Sequence, residues 1–299
     1  MGPPAPDAAG LLARCTFPAP GTEVALAVSG GPDSTALALL AVAAGLRPTI
    51  HHVDHGLRRG SADEAGLVER LAKTLDVAFI AHTVTVAEGG NLEARARAAR
   101  RAALPDGVLT GHTMDDQAET VLLNLLRGSG LDGMGAMSPE TKPLLGLRRH
   151  ELRALVAKRG LEVVDDPSNF DLSIRRNLVR QRILPELGAM SRRDLVPVLA
   201  RQAALARDDA ALLDALAFAA VPDYLDVAAL RAAPLALRRR RLRDLARDTA
   251  RDQGDGRHPP SAAEVDRMEA VVLGEAVATE LSGGRRLSRS KGRLHVTGA

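Results

Sequence analysis

Residues 24–34, Val24-Ala25-Leu26-Ala27-Val28-Ser29-Gly30-Gly31-Pro32-Asp33-Ser34, decide the fold. Five apolar residues in succession suit a strand buried on both faces. Two glycines follow at once, and a residue without a Cβ lets the backbone turn sharply and pass close to a ligand. Pro32 presets φ for a first helical turn. The Ala/Leu-rich run 34–45 then continues as a helix ending on Gly45. A strand, a glycine turn and a helix N-terminus in this order form an anion cradle, because backbone N–H groups point into the turn. Ser29 and Ser34 add hydroxyl donors. Asp33 cannot meet a phosphate directly, so its useful chemistry is to hold a cation that bridges to phosphate. The plain alternative is a tight turn with Asp33 as a helix N-cap.

Working outward, the first half alternates strands and helices. Strands are expected at 24–28, 48–53, 77–84 and 108–111, and helices at 34–45, 62–75, 91–104 and 115–126. That alternation implies a parallel sheet covered on both faces. Ligands of such sheets bind beyond the carboxyl ends of the strands. Three of the four strand ends carry polar loops, at 29–34, 54–61 and 112–116, which places them on one rim. Beyond Gly128 the texture changes. Residues 128–137 read as a mobile Gly-rich loop, and 149–159 as a short helix. Residues 173–186 read as a helix broken near Pro185, and 194–220 as a long helix. A small α+β region ends in strands at 279–281, 285–288 and 293–296 around Gly283-Gly284.

Composition bounds the function. The chain has 299 residues, 45% apolar and 26% charged, with one Cys and no Trp. Wholesale disorder, a disulfide scaffold and a multi-Cys metal site are all excluded. No run approaches the roughly 20 apolar residues that cross a bilayer. The N-terminus lacks the pattern of a signal peptide, so a cytoplasmic location without membrane attachment is expected. The first 150 residues carry 14 Lys+Arg against 16 Asp+Glu, and the remainder 26 against 21. A basic second half suits a polyanion partner, although a bias toward Arg codons would also produce it.

Further motifs sit on the same rim. His51-His52-Val53-Asp54-His55-Gly56-Leu57-Arg58 ends the second strand. Alternation puts His51 and His52 on opposite faces, which argues against a metal centre and for a polar edge beside a nucleotide. Gly111-His112-Thr113-Met114-Asp115-Asp116-Gln117-Ala118-Glu119-Thr120 follows the fourth strand. His112, Asp115 and Glu119 share a face if the helix starts near His112. Their acids, with Asp33, could hold Mg²⁺ against a triphosphate, or merely satisfy the helix dipole.

The stretch 29–34 is neither a Walker A loop nor a Rossmann fingerprint. It resembles the PP-loop of the N-type ATP pyrophosphatases, which cleave ATP between the α and β phosphates and adenylate an acceptor oxygen. Within them, residues 51–58, 112–120, 127–130 and Asn91-Leu92-Glu93-Ala94-Arg95-Ala96-Arg97 closely resemble the tRNA(Ile)-lysidine synthetases. So do Asp166-Pro167-Ser168-Asn169-Phe170-Asp171 and Arg176-Asn177-Leu178-Val179-Arg180. The chain departs where the family often has an aromatic, at Ile174, and at Lys142-Pro143-Leu144, where an Arg is usual.

The resemblance implies an α/β fold, an adenine nucleotide alpha hydrolase-like PP-loop domain at 21–190 behind a disordered segment at 1–20. A linker helix at 191–220 and a small tRNA-binding domain at 221–299 would follow. It implies ATP and Mg²⁺ as cofactors, and free L-lysine and the CAU anticodon of tRNA(Ile) as partners. The wobble cytidine, C34, would be adenylated at O2, and the lysine amine would displace AMP. Asp33, Arg176 and His112 carry over as catalytic residues. Ser29, Gly30, Gly31, Asp33, Ser34, His52 and Arg97 carry over to ATP. Asp33, Asp115, Asp116 and Glu119 carry over to the metal. Arg127, Asn169, Asn177, Arg180, Arg238 and Arg239 are substrate or tRNA candidates. For Arg238–Arg241 a solvated helix face competes with phosphate binding. No stable protein partner is implied, and a homodimer stays open. A tRNA thiolase is the rival reading, and the lone Cys15, far from every motif, speaks against it.

Overall fold

The computed structural model describes residues 8–54, 61–84, 92–164, 167–252 and 260–298. Residues 55–60, Asn91, Asp166 and 253–259, on which parts of the motifs and a Gly/Pro linker fall, lie outside them, as does the side chain of Arg97. The chain divides into two compact units, Met1–Arg207 and Asp208–Ala299.

The first unit opens with helix α1 (Ala8–Leu12) and strand β1 (Glu23–Ala27). Helix α2 (Pro32–Ala43), strand β2 (Arg47–Asp54), helix α3 (Ser61–Leu75) and strand β3 (Ala78–Thr83) follow. Then come helix α4 (Leu92–Ala103), the short strand β4 (Leu109–Thr110) and helix α5 (Met114–Leu126). The four strands form one parallel sheet in the order β3-β2-β1-β4. The chain steps outward from β1 to β3, then returns to the other side of β1 for β4. The strand order therefore reverses at β1/β4, and a crevice opens at their carboxyl ends, where such sheets bind ligands.

The core explains the sheet's position. Leu26, Val28 and Ile50 from the sheet are buried with Leu37 and Leu40 of α2 and Val68 of α3. Fully buried Ala36, Ala38 and Ala41 let α2 approach closely. Helix α6 (Leu131–Met134) precedes α7 (Arg149–Lys158), whose Leu152, Leu155 and Val156 complete this cluster.

Three expectations change here. Residues 8–20 are ordered, not disordered: Leu11 is completely buried in the core, and Thr16 N–H donates to the Pro143 carbonyl. Residues 128–137 are not a free loop: α6 lies within them, and side chains hold their carbonyls. Asn124 donates to Gly133, Gln117 to Met137, and Arg207 to both Gly135 and Met137. Glycine composition alone cannot reveal such pins, because the donors lie on α5 and near residue 207. Pro185 does not break a helix: α8 (Arg175–Leu178), a π turn (Val179–Ile183) and α9 (Leu184–Ser191) succeed one another with helical backbone angles at their junctions. The π turn ends two residues before Pro185, in a stretch where the regular hydrogen-bond ladder is already interrupted.

Helix α10 (Leu195–Ala220) contains the division between the units. It is more than a linker: in the first unit Val196 packs with Ala118 and Leu122 of α5. The second unit holds α11 (Val227–Ala232), α12 (Leu235–Asp252), α13 (Ala262–Leu273) and an antiparallel meander. Its strands, β5 (Ala278–Glu280), β6 (Arg286–Ser290) and β7 (Arg293–Thr297), lie in sequence order. Leu230, Leu242, Leu245, Met268 and Leu287 form its core. No helix among the described residues is long and apolar enough to cross a membrane.

Leu11→Ala tests the reassignment of the N-terminal segment. A cavity at a fully buried leucine should cost about 2–5 kcal/mol. Denaturant unfolding of the variant should show this loss, and an unchanged midpoint would return residues 8–12 to the periphery.

Candidate active site

A cavity of about 540 Å³ lies at the carboxyl ends of β1, β2 and β4. Its lining includes Ser29, Gly31, Asp33, Ser34, His52 and His112, so the loops after β1 and β4 do share one rim; of the 54–61 loop, residues 55–60 lie outside the described residues. The loop after β1 is held by its own hydroxyls. Ser34 donates to the Gly31 carbonyl (2.9 Å), and Ser29 N–H donates to Ser34 Oγ (3.2 Å). Gly30 has φ +84°, and a Cβ there would meet Val164 at 2.9 Å. At Gly111 a Cβ would meet the Asp33 carbonyl oxygen at 2.7 Å. The end of β4 thus abuts the backbone of the glycine loop, and no larger residue fits between them. His52, almost fully buried, donates from Nδ1 to the Val28 carbonyl (2.9 Å), so it braces the strand end beside the loop. His51 instead pairs with His82 on β3, Nδ1 to Nε2 at 2.9 Å. Burial and the neighbouring imidazole hold His51 below the usual histidine range. A 2.8 Å hydrogen bond joins His112 Nδ1 to the Thr110 hydroxyl.

Charge dominates the deeper wall. Asp116 is the third residue of α5 and part of a capping box: Thr113 N–H and Oγ1–H both donate to its Oδ2 at 2.8 Å. Its Oδ1 accepts from Arg149 (2.8 Å). Burial pushes the Asp116 carboxyl up, but Arg149, His112 and the Thr113 N–H outweigh it and hold it below the usual range. Glu119, 1% exposed, accepts from Arg149 (3.2 Å), Arg176 (2.9 Å) and Arg180 (2.7 Å). Arg176 also donates to the Thr120 hydroxyl (2.7 Å). Asp115 takes two bonds from Arg148 (3.2 Å each) and one from Arg149 N–H (2.8 Å). Arg148 reaches on to Asp194.

Asp33 differs from these. Its Oδ2 accepts from Arg149 (3.3 Å), while Oδ1 is buried without a hydrogen-bond partner. Burial pushes its pKa up to about 6 against the pull of Arg149. The expectation that Asp33, Asp115, Asp116 and Glu119 converge on one metal is therefore corrected. Among the described residues no three His, Cys, Asp or Glu groups form a metal cluster. The physical reason is that arginines already neutralise Asp115, Asp116 and Glu119, as buried charges require. Asp33 alone keeps an open, buried oxygen. That fits a cation bound through one carboxylate and phosphate oxygens, the usual arrangement for Mg²⁺.

The remaining expected residues divide. Asn169 and Arg180 line the cavity. Asn177 is buried and donates to the Asp171 carbonyl (2.9 Å), which shapes the 167–171 turn. Arg127 caps α5, bonds Asn124 (3.3 Å) and lies outside the cavity lining. Arg238 and Arg239 meet acids of their own unit. Both pair with Glu269, at 2.7 and 2.9 Å, and Arg239 also pairs with Asp266. Arg240 and Arg241 are buried, and Arg241 packs between Phe218 and Tyr224, whereas the Arg239 side chain stays 40% exposed. A sequence run cannot show this, because the partner acids stand on α13 and α10. Arg148 and Arg149 escaped the sequence reading, and Gln117, quoted there in a motif, was given no role. The doubled Arg at a helix start, where cations are disfavoured by the dipole, was the available signal for the first two.

A family model described as a PP-loop domain matches residues 8–187. Fold and loop thus define the first unit as a PP-loop nucleotide-binding domain. The chain is 38% identical to the tRNA(Ile)-lysidine synthase of Thermobifida fusca, over 99% of each chain. It is 39% identical to that of Nocardia farcinica, covering 93% of this chain and 92% of the relative. It is 47% identical to that of Mycolicibacterium paratuberculosis, covering 73% and 72%. The chain belongs to the tRNA(Ile)-lysidine synthase family. Among solved structures, the U34-tRNA thiolase NcsA from Methanococcus maripaludis is similar with a TM-score of 0.49 and 17% identity, over 64% of this chain and 72% of that one.

The raised pKa of Asp33 sets a pH-dependent stability. The folded protein binds this proton more tightly than the unfolded chain, so the benefit is full below the ordinary value of 3.8 and is lost as pH rises through about 6. Asp33→Asn removes the buried charge. The variant should melt above wild type at pH 8, with the gap narrowing as pH falls toward 4. A gap constant across that range would contradict the assignment.

Proposed function

We propose that this protein is an ATP-dependent ligase that converts the wobble cytidine (C34) of the CAU anticodon of tRNA(Ile) to lysidine, using free L-lysine. The observation that carries the reading is the cavity at the β1/β4 switch point, where the glycine loop, Asp33 and Arg180 face one another in a chain of this family. The first step joins cytidine O2 to the α-phosphate and releases pyrophosphate. The second joins the lysine amine to C2 and releases AMP. The loop N–H groups and the start of α2 receive phosphate oxygens. Asp33 Oδ1 would hold Mg²⁺, and when bound this ion neutralises charge on the triphosphate. Arg176 and Arg180, anchored on Glu119, supply fixed positive charge where the pentavalent phosphorus develops negative charge. His112, oriented by the Thr110 hydroxyl, is the imidazole placed to take a proton from the amine. Ser29 and Ser34 close the loop, and His52 keeps it against β1.

The thiolase alternative is disfavoured by Cys15. It is the only cysteine, its thiol is bonded to the Leu11 carbonyl, and burial pushes its pKa up to about 11. A thiol so held is a poor nucleophile. With no Trp and with Arg238, Arg240 and Arg241 turned inward, tRNA contact should depend on exposed basic residues such as Arg286 and Lys291. The cytoplasm, where tRNA and ATP meet, is the expected location.

Incubation with ATP, Mg²⁺, bulk tRNA and labelled amino acids tests the reading. Lysine alone should become tRNA-bound, in a product stable to the mild alkali that strips aminoacyl esters. Transfer of cysteine-derived sulfur would overturn the assignment. Asp33→Ala and Arg176→Ala should each lower tRNA-dependent AMP release by about 100-fold or more while filter retention of tRNA persists. Loss of retention first would show that these residues hold RNA.

A further inference from the structure

Arg149 is the residue of this site that no motif reading assigns. It is the first residue of α7, and its guanidinium lies among three carboxylates: Asp33 on the glycine loop, and Asp116 and Glu119 on α5. Each of its three nitrogens serves a different acid: Nε reaches Asp33 at 3.3 Å, Nη2 Asp116 at 2.8 Å and Nη1 Glu119 at 3.2 Å. Helix energetics do not explain the position, since a cation at a helix N-terminus opposes the macrodipole. Packing does not explain it either, because the side chain lines the nucleotide cavity. Among the described residues it is the only ion-pair partner of Asp33. It therefore sits where the positive charge of a nucleotide-bound metal is required, beside the one carboxylate with an open oxygen.

We infer that Arg149 is a resident counter-cation of the nucleotide site: it keeps Asp33 from holding a divalent metal until the triphosphate arrives, and then transfers its guanidinium to phosphate. The inference rests on the reading of Asp33 as the metal-holding residue. The exchange is chemically suited to arginine. Its planar fork binds phosphate in two-pronged fashion at least as readily as carboxylate, and it stays charged throughout. Arg176 and Arg180 remain on Glu119, so this acid is not left bare when Arg149 leaves. Asp116 keeps its two bonds from Thr113. Asp33 is the acid released, and it is the one that faces the metal. The consequence is ordered entry: metal and nucleotide enter together, and the metal alone finds the acids occupied. Arg149 acts on the reaction by positioning Asp33.

Mn²⁺ uptake followed by electron paramagnetic resonance tests this without relying on activity. Nucleotide-free wild type should leave the free Mn²⁺ signal nearly unchanged. Arg149→Met, which keeps the length of the side chain but removes its charge, should bind Mn²⁺ at least about tenfold more tightly. Arg149→Lys, which retains a cation, should behave as wild type. Tight Mn²⁺ uptake by nucleotide-free wild type overturns the inference, and that measurement needs no variant to fold. An Arg149→Met protein that melts cooperatively but gains no Mn²⁺ affinity also overturns it. Binding of a non-hydrolysable ATP analogue by wild type separates the two levels of the argument. If Mn²⁺ strengthens that binding and Asp33→Asn abolishes the gain, Asp33 holds the metal whatever the fate of Arg149. If Mn²⁺ has no effect, the metal reading fails and the inference fails with it.

Discussion

Glu119 is a carboxylate with 1% of its side chain exposed, bound by three guanidinium groups from α7, α8 and the π turn that follows α8. An isolated buried charge is costly enough that it must be paired or neutralised. Pairing it draws Arg149, Arg176 and Arg180 onto one face of α5, and with them the segments that carry them. Those segments are far apart in sequence. One buried acid thus joins the sheet to the helical region beyond it and decides which cations face the cavity.

The site exists because the sheet reverses direction at β1/β4. Without that reversal, the glycine loop after β1 and the His112–Glu119 segment after β4 would not be neighbours. The closeness is extreme at Gly111, where even a methyl group would collide with the Asp33 carbonyl. Asp33 is held there in a half-satisfied state, with one oxygen paired and one buried and open. Such local imbalance is common at functional sites, where a group is prepared for a ligand rather than for the fold.

The second unit uses the same pairing to a different end. Arg238 and Arg239 are matched to acids of α13, and Arg241 lies between two aromatic rings while donating to the Val221 and Pro222 carbonyls. In a chain with few aromatics, arginine serves as structural filler, its stem packing and its head satisfied. The positive charge of the second half is therefore not all available to a polyanion. Exposed cations stand on helices, as at Arg201, Arg231 and Arg267, and on the meander, as at Arg286 and Lys291.

The sequence by itself determined the alternating architecture, the parallel sheet and the common position of the loop at 29–34 and the turn at His112 on its rim. These are local properties: apolar runs, glycines and helix starts act through neighbouring residues. It also carried the family likeness, because the motifs are contiguous. Only the tertiary structure decided which charges oppose which. The expected metal acids became an arginine network, Arg238 and Arg239 found acid partners on α13, and the Gly-rich loop and residues 8–20 were found anchored. The physical reason is common to all of these. An ion pair or a buried contact depends on distance in space, and the partners here stand from 9 residues apart, for Asn124 and Gly133, to 137, for Arg14 and Glu151. No spacing rule within a segment can reveal a partner that another element supplies.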